Sequence, residues 1–251
     1  MNVVNVVNIG RATDPPAHTH HSHSSVRTNI ALIVLTVLLG LIVDQHGGLT
    51  GQLAVGVWTW VIFFRVTGTA PAGWRLPLYL CLIWSTAGEI FLSLVWGLYT
   101  YRLENVPFFI PPGHVLLFYF GMVMAAKVPR GFVLLVPIAA AAYAVIAIVR
   151  GYDTLSVPMI VLFILCWLQP DGRRLYSVML MAALAMELYG TWVGNWAWRP
   201  DVPYLGLHSA NPPLAAGAFY CALDVLVGLT VRGLLRLRSA SSAPVLETQT
   251  R

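Results

Sequence analysis

Three carboxylic acids sit where this chain tolerates charge least. Glu89, Glu187 and Asp224 each lie inside a long apolar run. A carboxylate in such a run costs about 2.5–3.5 kcal/mol on insertion scales, so it needs a partner, water or a task. Burial favours the neutral acid, and a desolvated acid beside an ionised neighbour forms an acid/base pair. On that reading Glu89 and Glu187 are the pair and Asp224 is a third member. The structural alternative makes each acid a helix-to-helix hydrogen bond or a salt bridge to Arg102 or Arg199. His114 opens a helix in the sequence PPGH and titrates near neutrality, which suits a proton shuttle; a solvated interface histidine is the plainer reading.

Binding groups cluster beside the acids. Tyr99 and Tyr101 follow Glu89, and Trp196 and Trp198 follow Glu187. They wall a lipid-sized pocket or sit at the head-group level as aromatic belts do. Arg102 and Arg199 end these aromatic pairs, where a guanidinium either clamps a phosphate or carboxylate or anchors the interface. His208 and Asn211 lie on the loop before the last apolar run, and all of these groups are expected to face one outward-opening cavity.

Several chemistries lack their residues. There is no HxxxH or paired-His spacing, no GxSxG, no Walker loop and no Asp pair for magnesium diphosphate. Cys81, Cys166 and Cys221 lie in apolar runs without CxxC spacing, so they read as small buried hydrophobes. No metal and no cofactor is expected.

The elements that must hold these groups are apolar helices. Of the 251 residues, 58% are hydrophobic and 10% charged, against about 25% charged in a soluble domain. The net charge of +5 is scattered, with no basic stripe for nucleic acid. Eight apolar runs are predicted, near residues 29–43, 53–67, 76–98, 112–126, 131–149, 156–168, 175–193 and 213–235. The first, second and sixth fall short of the roughly 20 residues a span needs and must borrow flanking residues. The runs are continuous and too long for barrel strands.

With a cytoplasmic N-terminus, twelve Lys and Arg fall on inside segments and three, Arg102, Arg150 and Arg199, outside. That bias alternates loop by loop, as the positive-inside rule expects. The expected fold is therefore an all-α polytopic bundle of eight transmembrane helices in the cell membrane, both termini cytoplasmic. Residues 1–28 read as a disordered tail in which His18, His20, His21 and His23 either bind a metal or are incidental, and residues 239–251 as a second tail.

The two segments after the acids look alike. Gly97, Tyr99, Tyr101 and Arg102 match Gly194, Trp196, Trp198 and Arg199 at a constant offset of 97. Pro111-Pro112 and Phe118-Tyr119 match Pro212-Pro213 and Phe219-Tyr220 at 101. Duplication of a four-helix unit explains this, with residues 29–126 as one copy and 127–238 as the other, both in the same orientation.

The unit Glu89, Gly97, Tyr99, Tyr101, with Gly194, Trp196, Trp198 and Asn211 in the second half, resembles the membrane carotenoid-biosynthesis family, which includes bacterioruberin-pathway hydratases. The resemblance implies an intramembrane enzyme that adds water to, or rearranges, a polyene or isoprenoid. Three functions are carried forward: an enzyme acting on a lipid or isoprenoid by acid/base chemistry, a proton-coupled transporter of a small solute or lipid, and a non-catalytic membrane scaffold. The partners expected are the lipid bilayer and a hydrophobic small molecule; oligomeric state is not legible.

Overall fold

The computed structural model describes residues 23–241. The helices are α1 (His23–His46), α2 (Gly48–Thr69), α3 (Ala72–Glu89), α4 (Ile110–Ala125), α5 (Arg130–Arg150), α6 (Ser156–Trp167), α7 (Arg173–Val193) and α8 (Gly217–Ser241). α3 runs on as a π-helical segment, Ile90–Val95. Four short strands lie between helices: β1 (Tyr99–Tyr101), β2 (Trp196–Trp198), β3 (Asp201–Val202) and β4 (Leu207–His208).

Among the described residues, six stretches are long and apolar enough to cross a membrane: Ser24–His46, Gly48–Thr69, Ala72–Val95, Arg130–Arg150, Pro170–Val193 and Gly217–Arg238. The other two apolar helices, α4 and α6, have 16 and 12 residues. The expected short runs at the N-terminus do borrow neighbours, since α1 starts at His23 and α2 at Gly48. Helix therefore replaces the expected tail over residues 23–28, and α8 extends to Ser241. The other tail histidines, His18, His20 and His21, and residues 242–251 lie outside the described residues.

Hydropathy is distributed inside out. Large apolar side chains such as Val57, Phe64, Ile83, Leu94, Ile138 and Val149 are exposed on the outer faces. Asn29, Asp44, Gln52, Glu89, Asp153, Glu187, Asn195 and Asp224 are buried. A water-soluble monomer rarely exposes apolar surface on this scale, whereas acyl chains solvate it without cost. Inside, Phe63, Leu78, Leu116, Phe118, Phe163 and Met179 form a packed core. α7 and α8 approach closely because Gly217 lacks a side chain: a Cβ there would stand 2.5 Å from the Leu180 carbonyl oxygen.

Two buried acids hold connections rather than chemistry. Asp44, near the end of α1, accepts from Asn195 Nδ2 at 2.6 Å and pairs with Arg102, whose guanidinium also donates to the Asp44 carbonyl. This cluster ties α1 to the segments that follow α3 and α7. Asp153 accepts from Tyr143 Oη at 2.9 Å, Ser156 Oγ at 2.6 Å and the amides of Ala210 and Leu214, both at 3.1 Å. It pins the segment before α8 to the start of α6. Neither role is visible in sequence, because the partners of Asp44 are 58 and 151 residues away.

Removing one member of a buried ion pair strands the other, at a cost of about 3–5 kcal/mol. Asp44→Ala should therefore lower the thermal melting temperature in detergent sharply. Arg199→Ala, at an exposed side chain, should shift stability by less than about 0.5 kcal/mol. Equal melting curves for the two variants would refute the role given to Asp44.

Candidate functional site

The site is built by a chain reversal after each of two helices. After Glu89 the π-helical segment ends at Val95, and Gly97 takes φ +73°, which L side chains rarely adopt. After Glu187 the α7 helix ends at Gly194 with φ +93°. Each reversal starts a three-residue strand, and β1 and β2 pair antiparallel with Tyr99 opposite Trp198 and Tyr101 opposite Trp196. Strand side chains alternate in direction. Thr100 and Ala197 therefore face out and are exposed, while all four rings point inward and are buried. The aromatic residues are thus not a head-group belt but the roof of an interior site.

The roof is wired to the acids. Glu89 Oε2 accepts from Tyr99 Oη at 2.9 Å and Tyr101 Oη at 2.6 Å. Glu187 Oε2 accepts from Trp196 Nε1 at 2.8 Å and Trp198 Nε1 at 3.0 Å. Each acid is bonded by the aromatic pair that follows it in sequence. Residues separated by 97 exchange places across the ribbon: Arg102 N donates to Asn195 O and Arg199 N to Leu98 O, both at 2.9 Å. Burial first, then the Glu89 charge, pushes the Tyr99 and Tyr101 phenols well above the usual tyrosine range. Both therefore remain protonated donors.

His114 breaks the likeness between the halves. Its Nδ1 lies 3.0 Å from the Ile110 carbonyl oxygen, which only accepts, so Nδ1 carries a hydrogen. Its Nε2 lies 3.2 Å from Glu89 Oε1. A hydrogen bond there needs one more proton, held by the carboxyl or by the imidazole. The Glu89–His114 contact thus has the geometry to hold one proton between the two groups. At the same offset as Pro112 and Pro213, the residue matching His114 is Ala215. Tyr220 fills that side: its ring stacks on the His114 ring at 4.8 Å between centroids and 8° between planes, and it interacts with Glu187.

Two cavities meet at this cluster. Glu89, Tyr99, His114, Glu187, Trp198 and Tyr220 line both. The inner one, about 70 Å3, is walled by α1, α2, α4 and α7. The outer one, about 190 Å3, lies between α3 and α8. Among the described residues, neither is lined by Lys or Arg, so no fixed cation neutralises the acids. No group of three or more His, Cys, Asp or Glu placed to hold a metal ion occurs among the described residues. The three cysteines are free and buried.

The structure brings together Glu89, Glu187, His114, Tyr99, Tyr101, Trp196 and Trp198. It leaves the other candidates elsewhere. Asp224 is buried but lines neither cavity; both its oxygens lack a hydrogen-bonding partner, and it lies within electrostatic reach of Cys81, Cys166 and Cys221. Arg102 is held by Asp44, and Arg199 is exposed. Both border a polar bowl on the far side of the ribbon. Asn211 accepts from the Trp198 backbone amide at 2.9 Å and so positions β2. His208 is exposed and pairs with Asp201 at 3.0 Å. The residue that sequence reasoning passed over is Tyr220; the repeat marked it, but its match Tyr119 serves a different place, near Asn29 and Trp74.

The chain matches no known protein family, and no curated protein or solved structure resembles it significantly.

Trp196 reaches Glu187 only because Gly190 has no side chain: a Cβ there would stand 2.0 Å from the indole ring. Gly190→Ala should push the indole off the carboxyl and destabilise by about 1–3 kcal/mol, the usual cost of overpacking. Tryptophan fluorescence and thermal melting read both effects. Gly68→Ala, where an added Cβ meets nothing within 4 Å, is the matched control and should leave the fluorescence unchanged without lowering the melting temperature. A silent Gly190→Ala would mean that the indole contact is not required.

Proposed function

We propose that this chain is a multi-pass membrane enzyme that modifies an apolar, unsaturated lipid or isoprenoid by acid/base chemistry at Glu89, His114 and Glu187. The observation that carries the reading is the 3.2 Å contact between His114 Nε2 and Glu89 Oε1 at the junction of two apolar cavities, with a second carboxyl on the same walls. An isoprenoid polyene is the substrate class implied by the resemblance around Glu89 and Gly194. Apolar walls keep a buried acid in its neutral, proton-carrying form and limit loss of the reactive intermediate to side reactions with water.

In the proposed reaction the Glu89–His114 pair delivers its proton to one carbon of a double bond. The π electrons form the new C–H bond and leave a cation on the adjacent carbon. The faces of Trp196, Trp198 and Tyr99 are suited to stabilise that charge. Glu187 then takes a proton either from a neighbouring carbon, which shifts the double bond, or from a water that adds to the cation. One proton enters and one leaves, and the pair resets when the proton returns across the cavity. The donors on Glu187 fit the acceptor role, because indole N–H groups donate only and leave the carboxylate basic at its other oxygen.

We read all eight helices as spans and the two halves as copies of one four-helix unit. The exchange of matched residues across the β1–β2 ribbon supports the duplication. The twelve-to-three distribution of Lys and Arg supports cytoplasmic termini.

General acid/base groups contribute about 100- to 10,000-fold to rate. Glu89→Gln and Glu187→Gln should each lower turnover by about 100-fold or more at unchanged protein level. Mass spectrometry of lipid extracts from expressing cells checks this, through a species isomeric with its precursor or heavier by one water. Identical lipid profiles for wild type and both variants would overturn the enzyme reading.

A further inference from the structure

The two cavities differ in a way that bears on how a substrate is seated, given the acid/base reading above. None of the residues around the inner cavity is exposed. The outer cavity includes Trp84, Phe91 and Leu226, which are 37%, 52% and 41% exposed on the bundle's apolar outer face. The outer cavity therefore opens sideways between α3 and α8, toward acyl chains, and the inner one lies behind it, away from the exposed faces of α3 and α8. Trp84 Nε1 donates to Thr230 Oγ1 at 3.0 Å across these two helices and marks one edge of the opening.

A glycine precedes each member of the proton-holding pair. Gly88, before Glu89, lines the outer cavity, and Gly113, before His114, lines the inner one. A Cβ at either would meet nothing within 4 Å, although both positions are half-buried. Helix interiors disfavour glycine by about 1 kcal/mol relative to alanine. Here the missing side chains leave room on the outward and inward sides of the pair.

We propose that an uncharged linear hydrocarbon chain enters from the bilayer between α3 and α8, passes Gly88, and seats its end in the inner cavity beside Gly113. The depth of that cavity then determines which bond, counted from the chain end, lies against Glu89 and His114. The inner cavity has the size for this role. An apolar cavity of about 150 Å3 takes a benzene ring. At about 70 Å3 the inner cavity takes a chain end and excludes a ring, while the outer one at about 190 Å3 passes the chain. Among the described residues no Lys or Arg lines the route, so a charged head group has no partner along it.

The test uses hexadecane carrying a photoactivatable diazirine on its second or its eighth carbon, with the full chain in lipid nanodiscs and peptide mapping of the labelled sites. The second-carbon probe should label the inner walls near Gly40 and Val55, and the eighth-carbon probe the outer walls near Gly88 and Leu223. Gly88→Phe should reduce both labels about tenfold; Gly88→Leu repeats the block with a smaller side chain if the first variant folds poorly. Gly113→Leu should reduce the inner label about tenfold and spare the outer one. Labelling that ignores the diazirine's position, or that survives the substitutions at Gly88, overturns the entry route. Inner labelling unchanged by Gly113→Leu overturns the measuring role. The assay reads seating and not turnover, so its outcome is separate from that of Glu89→Gln.

Discussion

Two carboxyl groups among hydrocarbon dictate what surrounds them. An unsatisfied buried acid is costly, and the acyl phase outside supplies no hydrogen-bond donor. The chain answers by turning back on itself after each acid. Two phenols return to Glu89 and two indoles to Glu187, and the returning strands satisfy their own backbone groups by pairing with each other. The ribbon thus satisfies its own polar groups, supplies the acids' donors and closes the site from above. The left-handed backbone at Gly97 and Gly194 makes the reversals possible without strain.

Matched positions carry unlike chemistry. Tyrosine donates and accepts, whereas tryptophan only donates. Glu89 faces tyrosines and an imidazole; Glu187 faces tryptophans and Tyr220. His114 stands on one side and Ala215 at the matching position on the other. Two acids in similar frames are thereby given different partners, which is what separate donor and acceptor roles require.

Two other buried acids, Asp44 and Asp153, show what a purely structural carboxyl looks like. Asp153 is saturated by two hydroxyls and two amides, and Asp44 by Arg102 and Asn195. Both fasten loops to helix ends and line neither central cavity. Glu89 differs in facing open space with an imidazole nitrogen 3.2 Å from its free oxygen. Burial alone therefore does not distinguish the two kinds; the neighbours do.

Composition and hydropathy determined the mostly helical architecture, because runs of about 20 apolar residues have few alternatives to helix. Charge inside apolar runs marked Glu89 and Glu187, the PPGH sequence marked His114, and the matching offset of 97 marked the four aromatic residues, all of them properties of order alone. The patterns YTY and WAW left pocket wall and head-group belt both open, because strands of three residues mean nothing until they pair. Only the tertiary structure decided that these rings turn inward, that Asp224 stands apart, that Arg102 belongs to Asp44, and that Tyr220 joins the site. Those outcomes depend on contacts between residues from 58 to 151 positions apart. A local pattern records which groups are present and how often they recur; which donor reaches which acid is fixed when helices pack and the chain reverses in space.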